Sequence, residues 1–538
     1  MQPRRLLAVV LTIGLTLDLL SFIEWSEPLW STPLTALVLV GVAIVTFADP
    51  RAGAIVVLLE LLWGSHGYLL RIPAGGLDLS LRTGIFFVVL AATIWHLRTS
   101  EDRALLWGAI RTHPARWPAL AFLATLVLAG ILGLLRHPFD RVFFDANAWG
   151  FFALAPAFLI AQIRMMRMDR ADDADMRIGS NWSNVSASGG KYQVSNVVLV
   201  GALYLILRTY ALLFLFSHDL GGTWMPLYQW VRDTRLGEVT IFPGAFPRVF
   251  MPSMVLLFPA VLIVGARMMR MDRTDDADTR MPLLPESGGK TSNFSPSSLE
   301  GEREGEESRT FTASVFGGGV AVLLLSLSRS YWLALIALAV IGIAWVIWSW
   351  QRKYYSPIRT NRRIVQGVAV AIGSIIAMSL LAIIVVRLPY PKSLTTAGIG
   401  STLLARLSAD AAVSNRWQQL QPLRDATWQH PILGNGFGAA VTYETKDPRT
   451  LASFPNRQYT TTAFEWGYLD DLLERGVIGL LVELWFIGAL IWYGLKKQSS
   501  PPLALALLAI AVVHTASPYL NHPLGIGVVL WLFAMESP

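Results

Sequence analysis

Cysteine is absent from this 538-residue chain, which excludes disulfides, thiolate metal sites and a cysteine nucleophile. Charge is scarce: Asp, Glu, Lys and Arg make up 15% of the residues against 54% hydrophobic, and the mean hydropathy is +0.48. A soluble globular protein of this length is not so apolar, so the solvent for most of the chain is lipid. Sustained alternation of apolar and polar residues is also missing; a membrane β-barrel is thereby excluded and helices are left as the spans. The first apolar run follows Arg4 and Arg5 and has no small-residue cleavage site before Trp25, so it reads as a retained helix rather than a signal peptide.

What is present is a series of apolar runs close to bilayer length. They predict an all-α, polytopic integral membrane protein of about fourteen transmembrane helices. The spans fall near residues 5–22, 34–48, 52–70, 83–97, 118–135, 148–163, 195–216, 249–266, 311–327, 330–350, 365–387, 477–495, 502–515 and 523–535. With the amino terminus inside, Arg98, Arg103, Arg111 and Arg116, then Arg352, Lys353, Arg359, Arg362 and Arg363, then Lys496 and Lys497 all face the cytoplasm, as the positive-inside rule requires. The net charge of +7 is thus a topology signal; the partner is membrane lipid, and nucleic acid is not a partner.

The same register turns residues 71–82, 136–147, 217–248 and about 388–470 outward. The last is a large, partly helical periplasmic loop, in which Leu403 to Gln429 has the spacing of helices lying along the membrane surface. The chain divides into N-terminal transmembrane helices over 1–310, with charged cytoplasmic loops at 164–194 and 267–310, a core region over 311–495 that contains the loop 388–470, and C-terminal helices over 496–538.

Arg164 to Arg177 (RMMRMDRADDADMR) is repeated at Arg267 to Arg280 (RMMRMDRTDDADTR). Asp169, Asp172, Asp173 and Asp175 are dense enough for a calcium loop, but the turn glycine and distal glutamate of an EF-hand are missing. Both copies read as solvated cytoplasmic loops, and Pro282 to Arg309 as a flexible linker. The sequons at Asn181 and Asn184 fall on the cytoplasmic side and carry no weight.

Charges at the outer membrane boundary are the place to look for chemistry. Arg329 lies in Ser-Leu-Ser-Arg-Ser-Tyr-Trp, between two apolar runs, where an arginine is expensive without an anionic partner; the plain alternative is snorkelling to the interface. Arg82, Arg232, Arg248 and Arg416 also face outward, and together the five would make a cationic pocket at headgroup level. Guanidinium forks match phosphate oxygens, so a pyrophosphate-bearing lipid is the natural ligand. In the large loop, Asn415-Arg416-Trp417 precedes Trp428-Gln-His-Pro-Ile-Leu-Gly-Asn-Gly-Phe-Gly, ending at Gly438. No strand precedes these glycines, so they read as a tight turn rather than a nucleotide loop; His430 either packs that turn or reaches substrate.

Taken in order, Ser328-Arg329-Ser330, Arg416 with Trp428 to Gly438, and Glu465-Trp-Gly-Tyr-Leu-Asp-Asp-Leu-Leu-Glu-Arg-Gly-Val-Ile-Gly at 465–479 resemble the O-antigen ligase and O-antigen polymerase family of bacterial envelope glycosyltransferases. The likeness covers roughly 311–495, with a weaker echo at Phe144 to Asn147. It implies a GT-C-like, metal-independent and cofactor-free transferase in the bacterial inner membrane, its active site facing the periplasm or cell exterior. The donor is an undecaprenyl-diphosphate-linked glycan and the acceptor a second glycan or a lipid A core. The resemblance also implies that Arg329 and Arg416 engage the diphosphate. Where the ligases carry His-Asn, this chain has Glu465-Trp466; Glu465 is then either the general base or the partner of an arginine at a helix start. That departure, with Ser517-Pro-Tyr-Leu-Asn-His-Pro-Leu-Gly, favours a polymerase over a ligase. A transporter or flippase of lipid-linked sugars is the rival reading, for which inverted repeats and broken helices would be the signature.

The topology is open to a direct check, because the native chain has no thiol. Cysteines introduced at Thr442 and Gly398 are expected to react with an impermeant thiol reagent from outside, and one at Ser297 is not; the opposite pattern of labelling overturns the orientation.

Overall fold

The computed structural model describes residues 3–74, 77–178, 191–240, 246–278, 296–352, 359–395, 400, 410–445, 456–497 and 500–537. The helices run α1 (Pro3–Ser26), α2 (Ser31–Ala48), α3 (Pro50–Gly64), α4 (Leu81–His96), α5 (Ser100–Thr112), α6 (Arg116–Arg136), α7 (Phe139–Ala146), α8 (Ala155–Ile178), α9 (Lys191–Ser217), α10 (Trp224–Asp233), α11 (Leu257–Asp278), α12 (Pro296–Leu325), α13 (Arg329–Arg352), α14 (Arg359–Val386), α15 (Asp410–Thr427), α16 (Gly467–Lys496), α17 (Pro501–His514) and α18 (Pro523–Met535). Three antiparallel hairpins, β1–β2 (Arg71–Ala74, Leu77–Ser80), β3–β4 (Glu238–Thr240, Arg248–Phe250) and β5–β6 (Val441–Glu444, Gln458–Thr461), sit in the outward segments.

Each predicted span overlaps a helix, although α3 ends at Gly64 within 52–70 and 249–266 opens with a strand and a 3-10 turn before α11. Among the described residues, seven helices are long and apolar enough to cross a membrane, or eight if α4 and α5, which meet at 108°, count as one broken span. The others that fall on predicted spans are shorter apolar helices, such as Pro501–His514 and Pro523–Met535. The bend between α4 and α5 follows from a cap: the Thr99 hydroxyl accepts the Asp102 N–H at 3.3 Å and donates to its carboxylate at 3.0 Å, starting a new helix in a new direction.

Burial separates the helices that face lipid from those that face protein. On α14, Val368, Val370, Ile372, Ile376, Leu380 and Ile384 are all exposed, a continuous apolar surface that water would not tolerate. By contrast α18 is buried from Leu524 to Leu532, and α17 and α8 pack beside it in one large core. The outer loop has a small core of its own, in which Leu423, Ala439, Val441, Phe464 and Leu473 are buried together, so it is a folded unit.

The two repeat segments are not loose loops. They lengthen α8 and α11, and their first arginines dock differently: Arg164 pairs with Asp102 at 2.7 Å, whereas Arg267 donates to Asn196 and Ser195, both at 2.7 Å. The side chains of the clustered aspartates, together with Asn181 and Asn184, lie outside the described residues. The linker expected over 282–309 is helical from Pro296 onward. Pro fits a first helical turn, and Glu300–Arg303 and Glu306–Arg309 have helix-stabilising i,i+3 spacing.

One backbone feature fixes the centre of the molecule. Gly476 (φ 63°) breaks α16, and the groups freed by the break are taken up by the turn after α15. Asn435 and Gly436 donate to the carbonyls of Leu473 and Glu474 at 2.8 and 2.9 Å, while Val477 and Ile478 donate to those of Pro431 and Ile432 at 2.8 and 3.2 Å. Gly434, Gly436 and Gly438 all take φ near 80°, and the turn also receives α6, with Phe437 donating to Ala129 at 3.1 Å. A Cβ on Gly476 would lie 2.3 Å from the Ile432 carbonyl oxygen. Gly476→Ala should therefore cost about 2 kcal/mol or more, from left-handed backbone strain plus the clash. The measurement is thermal melting in detergent, and a melting point equal to wild type would show that the break is dispensable.

Candidate functional site

Three outward segments meet where α12 ends. Leu327 takes a left-handed conformation (φ 53°), and this turns the chain sharply between α12 and α13, so that Arg329 opens the new helix. Hairpin β3–β4 docks on the turn: Arg248 donates from Nε to the Ser326 carbonyl at 3.2 Å and pairs across the hairpin with Glu238 at 3.3 Å. From the large loop, α15 brings Arg416, whose Nε is paired with the Glu465 carboxylate. The indole of Trp466 donates to the Arg416 carbonyl at 3.0 Å and stacks edge-on with Trp417 at 5.9 Å, fixing the segment that carries Glu465 to α15.

The electrostatics are those of an anion site. Burial, then the like charges of Arg329 and Arg248, push the Arg416 guanidinium below its usual range. Burial does the same to Arg248 against the pull of Glu238. The three guanidinium groups thus lie close enough to act on one another, with Glu238 and Glu465 each paired to one of them. The 517–522 segment closes the inner side, Ser517 bonding Ser330 at 3.2 Å and Tyr519 bonding Tyr331 at 2.6 Å between hydroxyls.

Of the residues expected from sequence, Arg329, Arg416, Arg248 and Glu465 come together. Arg82 does not join them: it is buried, paired with Glu60 at 2.8 Å and donating to the Ser65 carbonyl at 2.6 Å, beside His66 and His522. Arg232 is exposed at the end of α10, and the His430 side chain is exposed beyond α15, where its carbonyl takes the Gly434 N–H at 2.9 Å. His430 thus belongs to the turn.

A second group of charges, not anticipated from sequence, lies in the first turns of α16. The buried Arg475 holds Asp471 on one side and Glu483, at 2.6 Å, on the other, and its guanidinium covers the Trp149 ring at 4.7 Å. His514 donates to Asp471 at 2.7 Å and accepts the Leu520 N–H at 3.1 Å, tying this group to the 517–522 segment. Glu474 is hydrogen-bonded to Asp145, which also accepts the Gly438 N–H at 2.6 Å; burial pushes the Asp145 carboxyl above its usual range. Asp470 accepts from Asn521 at 3.2 Å. The signal was available: 470/474 and 471/475 are i,i+4 pairs in an otherwise apolar helix, where ionisable residues are rare. Asp471, Glu483 and His514 offer ligand atoms within 4.8 Å of one another, a spacing that suits a metal ion; here the Arg475 guanidinium bridges the two carboxylates.

Residues 314–484 match the family model described as O-antigen ligase. Over that stretch, about a third of its length, the chain is similar to the O-antigen ligase family. No curated protein matches it. The match supports membrane glycosyltransferase activity of the O-antigen ligase or polymerase type, acting on a lipid-linked glycan and an acceptor. The matched stretch holds Arg329, Arg416, Glu465 and the whole Asp470–Glu483 group, whereas Arg248, Asp145 and His514 reach it from other parts of the chain.

Breaking the buried group should be far more damaging than breaking an exposed pair. Arg475→Met leaves Asp471 and Glu483 uncompensated and is expected to cost about 3–5 kcal/mol. Arg424→Ala, at a pair with Asp425 whose side chains are 65% and 56% exposed, should change stability by less than about 0.5 kcal/mol. Comparable melting points for the two variants would remove the buried group from the account of stability.

Proposed function

We propose that the protein transfers or polymerises glycan from an undecaprenyl-diphosphate-linked donor on the periplasmic face of the bacterial inner membrane, and that it is a polymerase rather than a ligase. The observation that carries the reading is the convergence of Arg248, Arg329 and Arg416 on one outer-boundary site, with Glu465 in contact with Arg416. The guanidinium groups take the diphosphate oxygens as bidentate partners and stabilise the charge that grows on them. The acceptor hydroxyl attacks the anomeric carbon, its proton passes to Glu465, the bond from that carbon to the diphosphate oxygen breaks, and lipid diphosphate leaves. No metal or cofactor is needed in this scheme, since the arginines supply the positive charge. Glu465-Trp466 in place of the ligases' His-Asn favours the polymerase, whose acceptor is a second lipid-linked chain.

The broken helix at Gly476, like the bend between α4 and α5, is a feature that a transporter shares. Its freed backbone groups are bonded to the 431–436 turn rather than left to coordinate a cargo, which supports the transferase.

Two substitutions test the assignment with lipid-diphosphate oligosaccharide as substrate. Arg329→Lys keeps the charge and loses the fork, so it should remove most turnover at normal accumulation; full activity would make Arg329 an interface anchor. Glu465→Gln should lower turnover about a hundredfold or more with donor binding nearly unchanged, and Glu465→His should restore part of it with a pH profile moved toward about 6.5. If Glu465 only orients Arg416, the Gln variant instead weakens donor binding and the His variant recovers nothing. Wild-type rates in the Gln variant would leave Asp410, His430 or an acceptor activated without a protein base.

A further inference from the structure

The helices α6 and α16 pack side by side, and both are long and apolar enough to span, yet the surface they turn to lipid is shorter than a bilayer. Before Gly476, α16 is drawn into the protein, with Asp470, Asp471, Leu473, Glu474 and Arg475 all buried. Its exposed stripe starts only at Val477 and Ile478, runs through Leu481 and Leu484, and ends at Trp492, whose ring carries the Lys496 ammonium at 4.2 Å. From Val477 to Trp492 a helix rises about 23 Å. On α6 the stripe runs from Trp117, beside Arg116, to Leu135, a rise of about 27 Å. A hydrocarbon core is about 30 Å thick, and any tilt shortens the reach of both helices. The shortfall falls at the end where α16 is broken.

Two segments stand at that end with apolar side chains uncovered. The turn after α15 exposes Trp428, Ile432 and Leu433, and the carbonyls of Pro431 and Ile432 hold the first N–H groups of the α16 stripe. On its other side the same turn holds the corner between α6 and α7, where Arg136 donates to the Gly434 carbonyl at 2.9 Å and Asp145 takes the Gly438 N–H. The short helix α7 is amphipathic. Phe139 and Phe143, one turn apart with rings at 6.1 Å, share a side with the buried Val142, whereas Asp140 and Arg141 lie off it. We infer that the 428–433 turn and the Phe139–Phe143 edge of α7 are immersed in the acyl chains of the bilayer, a wedge that completes the lipid-facing surface of α6 and α16. Lipid, rather than a second copy of the chain, is the occupant, because this surface continues without a border into the stripes of two spanning helices. The exposed Gln429, His430 and Arg141 rim it with groups suited to headgroups and water. The wedge has a consequence for the arginine site: α15 leads directly into Trp428, so the bilayer itself sets the height at which the helix of Arg416 is held. This requires a membrane and no substrate.

The test uses the full chain, which has no native thiol, with Phe143→Cys, Ile432→Cys or Thr442→Cys labelled by an environment-sensitive NBD fluorophore. All three side chains are exposed, so the labels disturb no packed core, and Thr442 on β5 lies outside the wedge. The labelled chains are reconstituted in vesicles of phosphatidylethanolamine and phosphatidylglycerol, with and without a nitroxide on the acyl chain. Labels at Phe143 and Ile432 should emit at shorter wavelength than the one at Thr442 and be quenched several-fold more by the nitroxide. Either of them behaving as the Thr442 label does overturns the inference. Raising the protein-to-lipid ratio separates lipid from a second copy of the chain. Quenching should hold steady; quenching that is lost at high protein density, with Ile432→Cys chains cross-linking to one another, assigns the face to a dimer and overturns the inference as well.

Discussion

The break in α16 and the turn that mends it are the constraint on which the site depends. An unpaired backbone group in a membrane interior costs several kcal/mol, so a helix cannot simply stop and restart there. The Pro431–Gly436 turn takes over both the donors and the acceptors that Gly476 releases. The exchange has a geometric consequence. The outer loop is clamped to the helix bundle through backbone bonds, which no side-chain substitution removes, and α15 with Arg416 inherits that rigidity.

Two groups of charges stand near the break. Across it, Arg475 is enclosed by Asp471 and Glu483, with His514 completing the group, and the arrangement is fixed. In the other, Arg248 meets Glu238 and Arg416 meets Glu465, with Arg329 close enough to act on Arg416. They are joined through His514, which receives the Leu520 N–H and so positions the segment whose Ser517 and Tyr519 reach Ser330 and Tyr331. A buried structural pair and an open binding site are thus parts of one assembly.

The sequence made the lipid-facing helices easy to read, because hydropathy is a sum over many residues and tolerates error in any one. It also singled out Arg329, Arg248, Arg416 and Glu465, which the fold brings together. Arg82 was indistinguishable from them in sequence, since its burial partner Glu60 lies in an apolar run twenty-two residues earlier and only the α3–α4 packing brings them together. The Asp470–Glu483 group was hidden for a different reason. Motif reading treated 465–479 as a pattern of residue types, whereas its charges are explained by what α17, α7 and the glycine turn bring against them. The helical extension at Pro296 was missed because acidic, glycine-containing composition resembles that of a linker, and local i,i+3 charge spacing decided otherwise.

The replacement of histidine by Glu465 acquires a physical sense from the Arg416 contact. A carboxylate held against a guanidinium is a poor proton acceptor, because the neighbouring positive charge favours its ionised form. Two unit charges about 4 Å apart interact by about 4 kcal/mol at an effective dielectric constant of 20, and less where, as here, both side chains are partly exposed. In the proposed reaction a diphosphate arrives at the same guanidinium carrying more negative charge than a single carboxylate. It competes for Arg416, and once Arg416 turns to phosphate the attraction that weakened Glu465 as a base is offset by the donor's own charge. A neutral imidazole at that position would gain no comparable release, since it forms no ion pair with the arginine beforehand. In the proposed reaction, glutamate paired to arginine would couple donor binding to proton transfer, a coupling that the ligase-like residue would not provide.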